Sequence, residues 1–314
     1  MISTSKNSLW VEKYRPQTIE DCILPISTKK FFTEMRESRD IQNMLLTGSH
    51  GVGKTTIAQA FLKEMKAETL FLNCSKNNSI DDVRTKIYNF ASSMSLYGEG
   101  LKVVLGDEFD YFGQAGQAAL RGVIEQVSKN CRFIFTCNFP NKIIAPLQSR
   151  LLLVDFKIQP KDKPELAKQF MKRCCNILDQ EGVKYEKQVL AMLIQKQFPD
   201  FRKVIQMLQH SSLVGELTIE ALDKSDGDFG PYIVALKAKD YKAARTWIGQ
   251  NAVDASDFFH TLFMKVNEIF TKDSLAQAIL ILHNAQVNHA VVVDEELSLS
   301  ALTIELMSQC SFQK

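Results

Sequence analysis

Residues Leu45 to Ile57 restrict the fold of this chain more than any other stretch: they read Leu-Leu-Thr-Gly-Ser-His-Gly-Val-Gly-Lys-Thr-Thr-Ile. Met44, Leu45 and Leu46 read as a buried strand, and Ile57, Ala58, Phe61 and Leu62 then fall at helical spacing. Between them Gly48, Gly53, Lys54 and Thr55 fit G-x-x-x-x-G-K-[ST], the phosphate loop. Glycines let the backbone wrap closely round an anion, and the following helix turns its positive dipole end to the same charge. Lys54 supplies a point charge for the outer phosphates, and the Thr55 hydroxyl is a ligand for Mg²⁺. A plain glycine turn between strand and helix requires neither Lys54 nor Thr55. A nucleotide and Mg²⁺ are therefore expected here, with contacts from Gly48, Gly51, Val52, Gly53, Lys54, Thr55 and Thr56.

At 314 residues the chain is too long for one small core, and two or three domains are expected. A net charge of only +2 means that any nucleic-acid surface is a local basic patch. The 7 cysteines include no C-x-x-C pair, so reduced intracellular thiols are expected rather than a disulfide framework or a zinc site. No apolar run approaches the length of a bilayer span, and the first residues lack a signal-peptide core, which points to the cytoplasm.

Before the phosphate loop, Trp10 to Pro16 reads as an irregular arm, because Pro16 breaks a helix and extends the residue before it. Alone, it looks like a solvated tail. A helix over Thr28 to Glu37 and a first strand over Asn43 to Thr47 follow. After the loop come a helix to about Met65, a strand from Thr69 to Asn73, and a helix opened by Ser79 as N-cap. Ile80, Val83, Ile87, Phe90 and Ala91 form that helix's apolar stripe, and Arg84 lies off it on what reads as a solvated face.

Leu101 to Leu105 is a third strand, running into Gly106-Asp107-Glu108-Phe109-Asp110. A continuous apolar run suits a parallel strand buried on both faces, and ligands of such sheets sit outside the strands' carboxyl ends. If this strand neighbours the first, Asp107 stands beside the phosphates to hold Mg²⁺, and Glu108 orients and polarises the attacking water. Gln114 to Val127 is a helix with Ala118, Leu120, Val123, Ile124 and Val127 inward. The fourth strand, Arg132 to Phe135, ends at Thr136-Cys137-Asn138, where Asn138 either serves a turn or meets the γ-phosphate or the water. A fifth strand covers Leu151 to Phe156, and Arg150 before it is either a surface cation or a donor across a subunit boundary. This alternation predicts a doubly wound, mostly parallel α/β sheet.

From Pro164 to Asp226 the pattern is helical, with Leu166, Phe170 and Met171 on one face, Val189, Leu190, Leu193 and Ile194 on another, and a helix restarting through Val204, Ile205 and Leu208. Ser225 to Pro231 reads as a hinge. Beyond it Tyr232 to Phe312 reads as all helical. There Asp257 to Phe270 is one helix whose wide face carries Phe258, Phe259, Leu262, Phe263, Val266, Ile269 and Phe270, and Asp273 and Asp294 are expected caps. So wide a stripe suits a bundle core that also meets neighbouring subunits.

Set together in order, the motifs are Glu12-Lys-Tyr-Arg-Pro16, the phosphate loop, Ile80-Asp-Asp-Val-Arg84, Asp107-Glu108, Gln117-Ala-Ala-Leu-Arg121, Thr136-Cys-Asn138, Ser149-Arg150 and Phe198-Pro-Asp-Phe-Arg202-Lys. This series resembles the AAA+ ATPase subunits of sliding-clamp loaders: the replication factor C small subunits and, most of all, the large loader subunit of T4-type bacteriophages. The resemblance implies ATP as the nucleotide, with a P-loop AAA+ domain over 1–160, a helical lid over 161–228 and an all-helical collar over 229–314. By resemblance, Tyr14 and Arg15 line the adenine pocket, Asn138 is the first sensor and Arg202 the second. Arg150 is the arginine finger that reaches the ATP of the adjacent subunit. Arg84 tracks the DNA backbone, and Gln117 and Arg121 couple DNA contact to the acidic pair.

The function so implied is ATP-dependent loading of a sliding clamp onto primer–template DNA, by a DNA-stimulated ATPase. Its expected partners are identical subunits in a ring or spiral of four, a distinct small loader subunit, the clamp and DNA, with no membrane. For a phage protein the place of action is the host cytoplasm. Another AAA+ DNA machine, a branch-migration helicase or an origin initiator, is the alternative, and a scaffold that no longer hydrolyses ATP is a third reading. Two positions depart from the family pattern: Leu151 stands where cysteine is usual, and Gly106 where a branched apolar residue is usual.

Overall fold

The computed structural model describes residues 9–76, 80–93, 101–217, 229–251, 255–289, 292 and 294–313. The chain divides into two compact units, Met1–Thr218 and Ile219–Lys314.

The first unit is built on a five-stranded parallel sheet in the order β2-β3-β4-β1-β5. The strands are β1 (Met44–Thr47), β2 (Glu68–Asn73), β3 (Lys102–Asp107), β4 (Cys131–Cys137) and β5 (Leu152–Asp155). The helices among them are α1 (Trp10–Lys13), α2 (Ile26–Ser38), α3 (Lys54–Glu64), α4 (Ile80–Ser92), α5 (Gln114–Val127) and α6 (Ala145–Gln148). Side chains alternate across the sheet, as the strand period of two requires. Met44, Leu46, Val103, Leu105 and Ile134 pack on one side with Phe32, Ile57 and Phe61 of α2 and α3. Leu45, Val104, Phe133 and Phe135 pack on the other with Ile87, Leu120 and Ile124 of α4 and α5. Both faces are thus covered, which explains why the central strands read as unbroken apolar runs.

The condition for Asp107 and Glu108, that β3 neighbours β1, is not met: β4 lies between them and pairs with both. Helix α5 matches its expected span, and Leu120, Val123, Ile124 and Val127 face inward as expected; only Ala118 departs. Ala118 is exposed, while Gly116 and Gln117 are buried. Gln117 is tolerated inside because its amide is satisfied: Nε2 donates to the carbonyls of Phe112 (2.7 Å) and Lys142 (3.2 Å), and Oε1 accepts from Ile144 N–H (2.9 Å). Gly106 has a packing reason. A Cβ there would lie 2.6 Å from Cδ1 of Phe135, whose ring stacks on Phe109 with centroids 4.1 Å apart. Leu151 is buried in the same core. Ser79 lies outside the described residues, as do residues 225–228 of the expected hinge.

Helices α7 (Lys163–Glu181), α8 (Lys187–Gln197) and α9 (Phe201–Val214) complete the first unit. Leu166 and Phe170 are buried, while Met171 is only half-buried. A short ladder pairs β6 (Lys184–Tyr185) with β7 (Glu216–Leu217) in a stretch expected to be purely helical; two residues are too few for a visible strand period. The N-terminal arm is not a loose tail. Trp10–Lys13 forms a helical turn, Trp10 is buried, and its N–H donates to Gln209 Oε1 of α9 at 3.0 Å.

In the second unit, helices at Phe229–Lys237, Tyr241–Asn251, Ala255–Met264, Leu275–His289 and Glu295–Gln309 enclose a core that includes Tyr232, Trp247, Phe258, Leu262, Ile281, Leu302 and Leu306. The buried Tyr232 hydroxyl meets Thr303 Oγ1 at 2.9 Å, and Thr303 donates to the Leu299 carbonyl at 2.7 Å. The single helix expected over 257–270 is broken: Lys265 leaves the helical conformation, with φ −95° and ψ 6°, and Val266–Ile269 forms a separate turn. Val266, Ile269 and Phe270 beyond the break stay buried as expected, whereas Phe263, in the helix before it, is 51% exposed. Asp294 does cap its helix, accepting from Leu297 N–H at 3.0 Å. Asp273 does not; it lies inside the 3₁₀ turn Lys272–Ser274, with Thr271 at the cap position. Among the described residues, no helix is long and apolar enough to cross a membrane.

Candidate nucleotide site

Strands β1 and β4 end level with each other, Thr47 beside Cys137. The loop after β1 and the turn after β4 therefore open at the carboxyl edge of the sheet, where parallel sheets take ligands. Lys54, the first residue of α3, is buried there. Its Nζ donates to the carbonyls of Gly48 (2.8 Å) and Ser49 (2.7 Å) and to Asn138 Oδ1 (2.8 Å). Burial lowers the Lys54 pKa below the ordinary lysine value, with Cys137, Asp107 and Asp110 opposing the shift and Arg202 adding to it.

Asp107 ends β3, and its Oδ1 accepts from Thr55 Oγ1 at 2.6 Å and from Thr136 Oγ1 at 2.5 Å. Thr136 Oγ1 in turn accepts the Glu108 backbone N–H at 3.2 Å. The intervening strand β4 thus supplies the hydroxyl that holds the two acidic residues together, while Thr55 ties Asp107 to the phosphate loop. Thr136 was visible in the sequence only as part of a strand end; its role depends on β4 lying between β1 and β3. Among the described residues, no group of three or more His, Cys, Asp or Glu is arranged around a metal. A hydroxyl and a carboxylate meeting at 2.6 Å nevertheless suit Mg²⁺, which keeps waters and phosphate oxygens around few protein ligands.

The lid closes the other side. Gly51 has φ 70°, and a Cβ on it would fall 1.8 Å from Asp200 Oδ1. Asp200 caps α9 by accepting Lys203 N–H at 2.9 Å, and Phe201 N–H donates to the Gly51 carbonyl at 3.2 Å. The start of α9 therefore rests on the phosphate loop, and only glycine fits beneath it. The arm approaches from the other end: Tyr14 OH and Lys13 Nζ both donate to Glu181 Oε1 at 2.6 Å, and Arg15 Nη1 donates to Gln59 Oε1 at 2.7 Å.

Tyr14, Arg15, Gly51, Val52, Gly53, Lys54, Thr55, Thr56, Asp107, Glu108, Asn138 and Arg202 all line one cavity of about 380 Å³. Gly48 contributes its carbonyl to Lys54 but lies outside that lining. Gln59 and Arg173 also line it, and neither had a sequence signal, since the lid and arm that frame them meet only in the fold. Four expected residues lie elsewhere. Arg84 is exposed on α4, and Gln117 is buried between α5 and the loop that leads to α6. Arg121 stands 3.9 Å from Glu125, and Arg150 is held 2.6 Å from the same carboxylate oxygen. Arg150 Nη1 also donates to the Pro146 carbonyl at 2.6 Å and to Ser149 Oγ at 3.5 Å.

Residues 44–159 match the family described as ATPases associated with various cellular activities (AAA). Residues 162–220 match the AAA+ ATPase lid domain of sliding-clamp-loader large subunits. The chain is 36% identical over 316 residues to the sliding-clamp-loader large subunit of Enterobacteria phage T4, covering 98% of each. It is 35% identical to that of Escherichia phage RB69, over 89% of this chain and 88% of that protein. It is also 36% identical to the replication factor C small subunit of Archaeoglobus fulgidus, over 67% of this chain and 65% of that one. Among solved structures, a single-site variant of Thermotoga maritima RuvB is similar in fold, with a TM-score of 0.57 at 16% identity over 94% of this chain and 91% of that one.

Proposed function

The chain belongs to the AAA+ family of sliding-clamp-loader large subunits, and from that premise we propose how its site drives clamp loading. The protein is an ATPase that works in a multisubunit loader and uses ATP to place a sliding clamp on DNA. In our reading the loader holds four copies of this chain and one distinct small subunit, acts on primer–template junctions and works in the host cytoplasm. The AAA+ domain, lid and collar are assigned to 1–160, 161–228 and 229–314.

The phosphate-loop N–H groups, the start of α3 and Lys54 hold the triphosphate. Tyr14 and Arg15 flank the base, and Arg202 reaches the phosphates from the lid. Thr55 and Asp107 hold Mg²⁺, which when bound neutralises phosphate charge. Glu108 orients and polarises the attacking water, and Asn138 meets that water or the γ-phosphate. Arg150 serves the ATP of the neighbouring copy, so hydrolysis waits for assembly. Arg84 meets the DNA backbone, a contact that positions duplex without reading sequence. Gln117 and Arg121 carry the DNA signal to the acidic pair, and the second unit forms the collar.

One observation carries this reading: the expected nucleotide-binding side chains gather at the carboxyl edge of the sheet, whereas Arg150 stays outside the cavity. It is tested by steady-state ATP turnover of the assembled loader. Clamp plus primed DNA should raise the rate severalfold; a rate indifferent to both would remove the reading.

A further inference from the structure

Asp110 is a buried acid for which the mechanism above has no task. It sits in the 3₁₀ turn Phe109–Tyr111 and is 6% exposed. Its Oδ2 accepts two backbone N–H groups, from Asn138 at 3.3 Å and Phe139 at 3.2 Å. Its Oδ1 is buried without a hydrogen-bond partner. A buried carboxyl group with one oxygen unpartnered is a poor stabilising device, since apolar packing fills such a place at lower cost. What it does accomplish is geometric. The turn begins at Glu108, held in the left-handed conformation with φ 55°, and ends by gripping the backbone of Asn138. Asn138 then meets Lys54 Nζ at 2.8 Å. A second tie joins the same two turns: the Lys142 ammonium lies 5.3 Å from the Tyr111 ring and 4.9 Å from the Phe139 ring.

We propose that Asp110 is a positioning residue for ATP hydrolysis, its carboxylate fixing the Asn138 turn in register with Glu108. The inference rests on the roles given above to Glu108 and Asn138. Two successive backbone N–H groups are clamped to one acid, so the sensor amide and the water-polarising acid move as one body. Because the clamp acts on the backbone of Asn138, side-chain truncation at 138 should abolish whatever Asp110 contributes.

The test uses the full chain in the assembled loader, with clamp and primed DNA. Asp110→Ala should lower kcat by roughly 10- to 100-fold while ATP affinity stays within about twofold, the split expected when reacting groups lose alignment but binding groups do not. Asp110→Asn keeps an acceptor for both N–H groups and should recover most of the rate. Added to Asn138→Ala, Asp110→Ala should cost little more, because the two act as one unit. Asp110→Ser, too short to reach both N–H groups, serves the same comparisons if the alanine variant does not fold. Wild-type kcat in Asp110→Ala, loss of ATP affinity in step with kcat, no recovery in Asp110→Asn, or fully multiplicative losses with Asn138→Ala would each overturn the proposal. Clamp- and DNA-stimulated turnover by the wild-type loader in the same series keeps the functional reading separate from this one.

Discussion

Glu108 holds φ 55° at the end of β3, a conformation costing a non-glycine residue roughly 1–3 kcal/mol unless its neighbours compel it. They do: Asp107 is tied to two threonine hydroxyls before it, and Phe109 is stacked on Phe135 after it. Such placement suits an acid that must meet one water in one direction. Glu108→Gln should leave ATP binding intact and cut turnover by about 10²-fold or more, measured as steady-state phosphate release. Gly106 is part of the same arrangement, because any β-carbon there presses on the Phe135 ring. Gly106→Val should destabilise the chain by about 1–3 kcal/mol in denaturant unfolding, and Phe135→Leu in the same chain should return part of that loss. The phosphate loop and the acidic pair were legible residue by residue, since their chemistry demands side chains at fixed spacing. Gly106 was legible only as an anomaly, because the ring that explains it arrives from another strand.

At the scale of elements, the arm is the informative case. Pro16 and a run of mixed polarity make it look like a tail, yet Trp10 is buried and bonded to Gln209, 199 residues away in the chain. Local pattern carries no trace of so distant a partner. The arm is strapped to α7 by Glu181, which accepts from both Lys13 and Tyr14. Burial works to raise the Glu181 pKa, but the hydrogen bonds from Lys13 and Tyr14 outweigh it and hold the carboxyl below its ordinary value of 4.5. A depressed acid stabilises the folded state above its unfolded pKa and loses that contribution as pH falls through the folded value. The stability difference between wild type and Glu181→Gln should therefore be constant at neutral pH and shrink as pH falls below 4.5, followed by thermal unfolding across pH. Central strands were read well because burial on both faces leaves an apolar run in the sequence. Their order was not, because the insertion of β4 between β1 and β3 is a matter of crossover connections. In the second unit, helical spacing continues through Lys265 although the backbone does not, so periodicity joined two segments into one helix; it also counted Phe263 on the apolar face, where the side chain is exposed.

At the scale of the molecule, the first unit gathers the phosphate loop, Asp107 and Glu108, Asn138, Arg202 and the arm around one cavity, and Arg150 stands apart from it. In the single chain Arg150 is occupied by Glu125, an exposed pairing of the kind worth ~1 kcal/mol or less, so little opposes its transfer to a phosphate. Arg150→Ala should thus barely alter folding but should reduce turnover of the assembled loader by about 10³-fold, as removal of an arginine finger does. The central claim is that each ATP is held by one copy and cleaved with the help of the next. Its most direct test mixes two inactive chains, Glu108→Gln and Arg150→Ala, in one loader with clamp and primed DNA. Where a Glu108→Gln copy presents its intact Arg150 to an Arg150→Ala copy with its intact Glu108, a complete site forms, and the mixture should turn over ATP well above either parent. A mixture no faster than the sum of its parents would contradict the account.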